Sequence, residues 1–297
     1  MSNTVNVADV GEVSKAVCQI LAKRFPNRDL ARIQTAFLDC EILYRGDWPG
    51  YYGCDTPYHN LQHILDVTLA AVRLMDGAEM RHSENPMGWE RVESGVIVAL
   101  LHDCGYIRKR GDTVHFHGAE YTKVHVSRGA SFLADYLPRI ELGSLVELAQ
   151  NWIHYTGYEH SFESLDEGNE LNNRMGFIIG TADLIAQMSD RIYLEKCRDY
   201  LFEEFELAGL TKRKDANGKE VSVIDSAEDL VKQTPTFIEQ VFKNRLDGVF
   251  KKAYTYEADH FGGKTLYLDA IRKTAEFARK IAESDDLSLL RRNSLQD

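Results

Sequence analysis

Residues 60–75, Asn60 to Met75, read NLQHILDVTLAAVRLM, with apolar and polar residues recurring at helical spacing and Pro57 just ahead. A helix here would turn His59 and His63, four residues apart, the same way, with about 5–6 Å between Cβ atoms. The same period runs outward along the chain. Leu30, Ile33, Phe37 and Tyr44 follow it, with Asn27 or Asp29 available as an N-cap. Further helices are predicted from about Ser127 to Leu137, Leu145 to Trp152, Met175 to Leu207, Pro235 to Ala253 and Lys264 to Ser284. Gly95 to Leu101 (GVIVALL) is apolar throughout, a length that suits a buried strand as well as a buried helical segment.

The expected fold class is all-α, a single-domain helical bundle. Only 6 prolines in 297 residues leave long helices uninterrupted. No repeat, low-complexity tract or linker divides the chain, so one domain over residues 1–297 is expected. His82 to Met87 and Ile107 to His117 read as polar loops. Lys212 to Val221 contains Asn217-Gly218, a turn signal that could head a short hairpin. The polar tail, Asp285 to Asp297, is expected to fray.

Hydrophobic residues make up 44% and charged residues 27%, ordinary for a globular protein. The net charge of -11 argues against a nucleic-acid scaffold, which needs clusters of Lys and Arg. It leaves a small phosphorylated substrate open, because bound cations can invert the field of one pocket. Met1 to Val13 lacks a basic region followed by an apolar core, and no apolar run reaches membrane-spanning length. A cytoplasmic location and no membrane partner are therefore expected. Cys18, Cys40, Cys54, Cys104 and Cys197 are odd in number, widely spaced and free of CxxC pairs, which reads as reduced thiols. A homodimer stays open, since amphipathic helices bury their stripes internally or across an interface.

Three separated segments bring His or Asp into apolar surroundings. The first is Tyr58 to Val67, with His59 and His63. The second is Leu100-Leu101-His102-Asp103, where a charge directly follows a buried run. The third is Asp183, inside FIIGTADLIAQM. A buried carboxylate is costly unless something positive meets it, and a divalent cation does so well. Imidazole and carboxylate together suit Zn, Mn, Fe or Mg. A lone buried histidine is more often a hydrogen-bonded core residue, but these types in this order favour a metal site.

The pattern His63…His102-Asp103…Asp183 resembles the signature of the HD superfamily of helical metal-dependent phosphohydrolases. Tyr58 to Val67 is further similar to the Y-H-N-x-x-H-x-x-D-V segment of class I cyclic-nucleotide phosphodiesterases. Asp183-Leu184 followed by Phe202-Glu203-Glu204-Phe205 is similar to their A-D-L…E-E-F run. Gln233 with Phe237-Ile238 looks like their Q-x-x-F-I base-binding segment, one residue longer. The likeness covers roughly residues 57–250, and implies an HD-type bundle with a catalytic core of about 50–255. It implies that His63, His102, Asp103 and Asp183 hold a first metal, that Asp103 bridges to a second, and that His59 is the general acid.

The chain also departs from that family. Class I enzymes follow the His–Asp pair with an acidic-His-Pro-Gly sequence, whereas Cys104-Gly105-Tyr106 stand here. His125 to Ala130 instead resembles the H-x-x-x-G-A element of two-metal HD proteins, including the HD-GYP cyclic-dinucleotide phosphodiesterases, and His154 resembles their next ligand. By that resemblance His125 and His154 complete a His-rich second site favouring Mn or Fe, although His115 or His117 could stand in for His125. The naming motif of HD-GYP is not matched, since Glu159 follows Gly157-Tyr158. Asp66 reads equally as a partner to a ligand histidine or as a solvated helix residue. Arg191 and Lys196 read as a solvated face.

The function so implied is hydrolysis of a cyclic nucleotide or related phosphodiester, with two divalent ions activating water. Three rivals stand beside it: a nucleotide phosphomonoesterase or pyrophosphohydrolase, an HD-type di-iron oxygenase, and a degenerate module that binds a nucleotide without cleaving it. The missing acidic residues after the His–Asp pair count against an alarmone hydrolase. The retained ligand types count against the binding module.

Overall fold

A computed structural model of the chain describes residues 5–166, 168–215, 218–292 and 294–295. The long helices are α1 (Val10–Arg24), α2 (Ala31–Arg45), α3 (Leu61–Arg81), α4 (Trp89–Leu101), α5 (His125–Tyr136) and α6 (Val146–Ile153). A short α7 (Phe162–Leu165) precedes α8 (Glu170–Met188), and short α9 (Tyr193–Lys196) and α10 (Phe202–Leu207) follow it. The chain closes with α11 (Ala227–Val241), α12 (Tyr256–His260) and α13 (Leu266–Ser284). The fold is all-α. Among the described residues the only strands are β1 (Lys212–Lys214) and β2 (Glu220–Ser222), an antiparallel pair with Arg213 opposite Val221. The hairpin is the one that Asn217-Gly218 suggests, although Asn217 lies outside the described residues.

The bundle is organised about α3 and α8, which pack on each other, with α4, α1 and α12 also against α3. Burial decides the ambiguous run Gly95–Leu101. Every residue of α4 from Val92 to Leu101 is buried, and an element enclosed on all sides satisfies its backbone groups internally as a helix. α11 begins eight residues before the predicted start at Pro235, because Ser226 caps it by accepting from the Asp229 N–H at 3.2 Å. Pro235 is accommodated inside. The predicted helix Met175 to Leu207 is interrupted after Met188 and resumes through a wide, π-type turn, Cys197–Leu201. A second such turn, Phe242–Val249, continues α11. Neither Asn27 nor Asp29 is the N-cap of α2, whose cap position is Leu30; Asp29 does accept from the Ala31 N–H at 2.9 Å.

The tail does not fray over its described length. Leu290 is buried, the Arg291 N–H donates to Glu195 Oε1 at 2.7 Å, and the Leu295 N–H donates to Asp199 Oδ2 at 2.8 Å. Acceptors on distant residues hold it, which its polar composition does not reveal. All five cysteines are free thiols, Cys18 and Cys54 only partly buried. No described helix is long and apolar enough to cross a membrane.

One close approach sets up the site. The turn Cys104–Tyr106 lies directly on the start of α5, and a Cβ at Gly105 would meet the His125 carbonyl oxygen at 1.8 Å. Arg128 ties the same contact, donating to the carbonyls of Gly105 at 2.7 Å and Ile107 at 3.0 Å. Gly105→Ala is expected to destabilise the protein by about 1–3 kcal/mol through overpacking, read from urea unfolding. An unchanged midpoint would show that α5 has room to move away.

Candidate metal centre and cavity

Each side chain of the cluster is placed by an identifiable local device. Asn60 caps α3, its Oδ1 accepting from the His63 N–H at 3.1 Å, and so puts His63 in the first turn. His59 lies ahead of α3 rather than on it, which corrects the helical-face reading, yet its ring still comes to 5.7 Å from that of His63. His102 closes α4, and its Nδ1–H donates to the Ala99 carbonyl at 2.8 Å. His125 opens α5 and makes the same kind of bond to the Thr122 carbonyl at 2.7 Å. Because a carbonyl only accepts, Nδ1 carries the proton in both rings and Nε2 is left for another partner.

These nitrogens converge on Asp103. His102 Nε2 is 3.2 Å and His63 Nε2 3.4 Å from Asp103 Oδ2, while His125 Nε2 is 3.5 Å from the other oxygen, Oδ1. Asp183 Oδ1 lies 3.4 Å from His63 Nε2 and 3.9 Å from His102 Nε2. Gln187, one turn along α8, steadies Asp183, donating to its Oδ1 at 3.3 Å and accepting from the Tyr58 hydroxyl at 2.9 Å. The Nε2 atoms of His63 and His102 are buried with no hydrogen-bond partner. His63, His102 and Asp103 thus form a buried group with ligand atoms close enough to hold a metal ion.

Electrostatics agree with the geometry. Burial alone would push the Asp103 carboxyl up, but His102 and His63 hold it well below the usual carboxylate range. Burial pulls the His102 imidazole down, and the Asp103 carboxylate more than offsets this, raising it to about 9. His63 is raised for the same reason. His125 is lowered, mainly by burial, and so stays a neutral ligand type.

His59 has a different partner. Its Nδ1 is 2.5 Å from Oε2 of Glu204, a fully enclosed carboxylate on α10 that also accepts from the Tyr58 N–H at 2.6 Å. Burial lowers the His59 imidazole, but Glu204 raises it above its ordinary value overall. Tyr106 is stacked between two histidines, 4.5 Å from the His59 ring and 4.3 Å from that of His125. Neither role is readable from the chain order, although an acid within Leu201-Phe202-Glu203-Glu204-Phe205 was a signal of the kind given by Asp183.

The remaining candidates divide. His154 makes no ion pair with Asp103 or Asp183 among the described residues, and its ring sits 4.2 Å from that of His160. Its Nδ1 is nonetheless buried without a partner. His115 and His117 do not replace His125. His115 Nδ1 is 3.0 Å from Asp112 Oδ2, and His117 Nδ1 accepts from the Ala119 N–H at 3.1 Å, so both serve their own loop. Asp66 is largely buried, raised to about 6 by that burial, and lines a small recess with His63 and Lys196. Lys196 pairs with Asp190 at 2.6 Å.

The cluster opens on a cavity of about 780 Å³, lined by His59, Asp103, Tyr106, His125 and Asp183 on one part of its wall. Leu184, Leu201, Phe205, Leu210, Ile224 and Leu230 supply an apolar part. Gln233 and Phe237 line it too. The Gln233 amide nitrogen, however, is engaged by Val223 O at 3.0 Å and Asp229 Oδ2 at 2.9 Å, leaving only its carbonyl oxygen for a ligand. Comparison of the chain with protein-family models, with curated proteins and with solved structures gave no match.

A cation entering this cluster displaces the proton that His102 holds in its absence. Metal affinity should therefore rise with pH toward about 9, and weaken about ten-fold per pH unit on going from 8 to 6 for each proton displaced. Chelator competition with Mn or Zn measures this. An affinity unaffected by pH over that range would mean that the cluster does not bind the ion.

Proposed function

We propose that this chain is an HD-superfamily phosphohydrolase that cleaves a phosphodiester, a cyclic nucleotide or a related compound. The observation that carries the reading is the convergence of unpartnered imidazole Nε2 atoms on the buried carboxylate of Asp103, at the wall of a cavity large enough for an organic ester. His63, His102, Asp103 and Asp183 would hold one divalent ion, and Oδ1 of Asp103 with His125 would begin a second site, for which His154, its Nδ1 buried without a partner, is the remaining candidate ligand. Bound Mn, Fe, Zn or Mg supplies Lewis acidity for the phosphoryl oxygens and for an attacking water.

The protein's own part is positioning and proton transfer. His59 donates a proton to the departing oxygen. Glu204 engages Nδ1, favours the imidazolium and leaves Nε2 as the nitrogen that gives up the proton. Tyr106 keeps the His59 and His125 rings parallel to its own, so that acid and second-site ligand share one reference plane. Gln187 fixes the carboxylate of Asp183. A dedicated, carboxylate-backed acid has a use in hydrolysis and none in the oxygenase reading.

Cleavage of bis-para-nitrophenyl phosphate by metal-stripped protein resupplied with Mn, Fe, Zn or Mg is the deciding measurement. Asp103→Ala should abolish turnover. With a poor leaving group such as a cyclic nucleotide, His59→Ala and Glu204→Gln should lower kcat, the first by about 10²–10⁴-fold. Absence of cleavage with every metal, despite bound ion, would reject the hydrolase reading.

A further inference from the structure

The cavity wall carries a cation that the mechanism above does not use. Arg245, in the wide turn Phe242–Val249, lines the cavity and is only 5% exposed. Its Nη2 donates to the carbonyls of Tyr155 at 2.7 Å and Gly157 at 3.3 Å, on the turn that leaves His154. Its guanidinium carbon is 4.4 Å from the ring centre of Tyr158, 5.1 Å from Phe162 and 5.2 Å from Phe250.

Among the described residues no carboxylate pairs with this guanidinium, and its Nε is buried without a hydrogen-bond partner. Carbonyls and aromatic faces fix its plane but leave its full charge in place. An enclosed cation with no counter-ion is unfavourable unless a ligand supplies one. The acids of the cavity are spoken for. Asp103 and Asp183 face imidazoles, and Glu159 caps α5, accepting from the Val126 and Ser127 N–H groups at 2.8 and 3.1 Å. A planar fork of donors, held rigid and unneutralised, suits the oxygens of a carboxylate or a phosphate.

We propose that Arg245 is an anion subsite, receiving a second acidic group of the substrate while its phosphodiester lies at the His–Asp cluster. This rests on the reading of the cavity as a phosphodiesterase site. It narrows the substrate to phosphoric esters that carry a further carboxylate or phosphate. A cyclic mononucleotide, with a single negative charge, leaves Arg245 unmatched.

The test uses the Mn-loaded full chain and three inhibitors of bis-para-nitrophenyl phosphate cleavage: propylphosphonate, 3-phosphonopropanoate and propane-1,3-diphosphonate. The two doubly acidic compounds should compete at least about ten-fold more tightly than the first, and the tighter of them identifies the second group as carboxylate or phosphate. In Arg245→Gln that advantage should fall below about two-fold, with Arg245→Lys between, each ratio being taken within one variant so that any change in basal kcat/KM cancels. Equal inhibition by all three in the wild type overturns the proposal, as does an advantage that survives Arg245→Gln. Circular dichroism reports folding. Should the Gln variant unfold, the Lys variant must still cut the advantage by about three-fold or the proposal fails. If the diester is not cleaved, the phosphodiesterase reading fails separately, and calorimetric titration of the same three compounds decides the subsite by the same ratios.

Discussion

An ionised carboxylate at the end of an apolar helix is tolerable only if positive charge is brought to it, and Asp103 imposes that requirement on its surroundings. It follows directly on α4, buried along its final ten residues, and is itself 3% exposed. Imidazoles reach it from the start of α3, the end of α4 and the start of α5. Asp183 adds a second negative group and makes the demand for a cation stronger. The Asn60 cap, the Gly105 contact and the carbonyls behind His102 and His125 can all be understood as devices for meeting that demand.

The cavity is built from two stretches of chain with different chemistry. Residues 58–183 supply the histidines and aspartates, from helices packed in the centre of the bundle. Residues 184–245 supply mostly the apolar lining, on shorter and less regular elements beside a hairpin. Long-range contacts join them, among them Glu204 to His59, and Arg245 to the backbone after His154. Each lets the second stretch act on the first, one by setting a proton and the other by steadying a turn.

Much of this was legible in the sequence, for reasons that differ between residues. Helices with an apolar stripe, such as α2 and α13, announce themselves because their burial is one-sided. α4 does not, since a run buried on every side carries no period. His63, His102, Asp103 and Asp183 stood out as polar residues in apolar contexts, and they do meet in space. Glu204 and Arg245 were harder, because what distinguishes them is the partner or the lack of one, and both lie far along the chain from the residues they touch. The tail misled for the same reason: its composition is polar, but Glu195 and Asp199 wait to receive its backbone. The start of α11 was misplaced by reading Pro235 as an opening residue when Ser226 already provides the cap.

The two wide turns, Cys197–Leu201 and Phe242–Val249, make the cavity sensitive to chain length as well as to side-chain identity. A π-type turn holds one more residue than an α turn in the same span. Removing a single residue from the second turn would let it tighten into ordinary helix over the same span, redistributing the residues of the turn round the axis at about 100° each while the flanking elements keep their places. Arg245, inside the turn, would then shift against the wall it lines, although no residue of the metal cluster had been touched. Insertions and deletions of one residue in these turns are thus a route by which such a bundle can exchange one ligand for another while its chemistry stays in place.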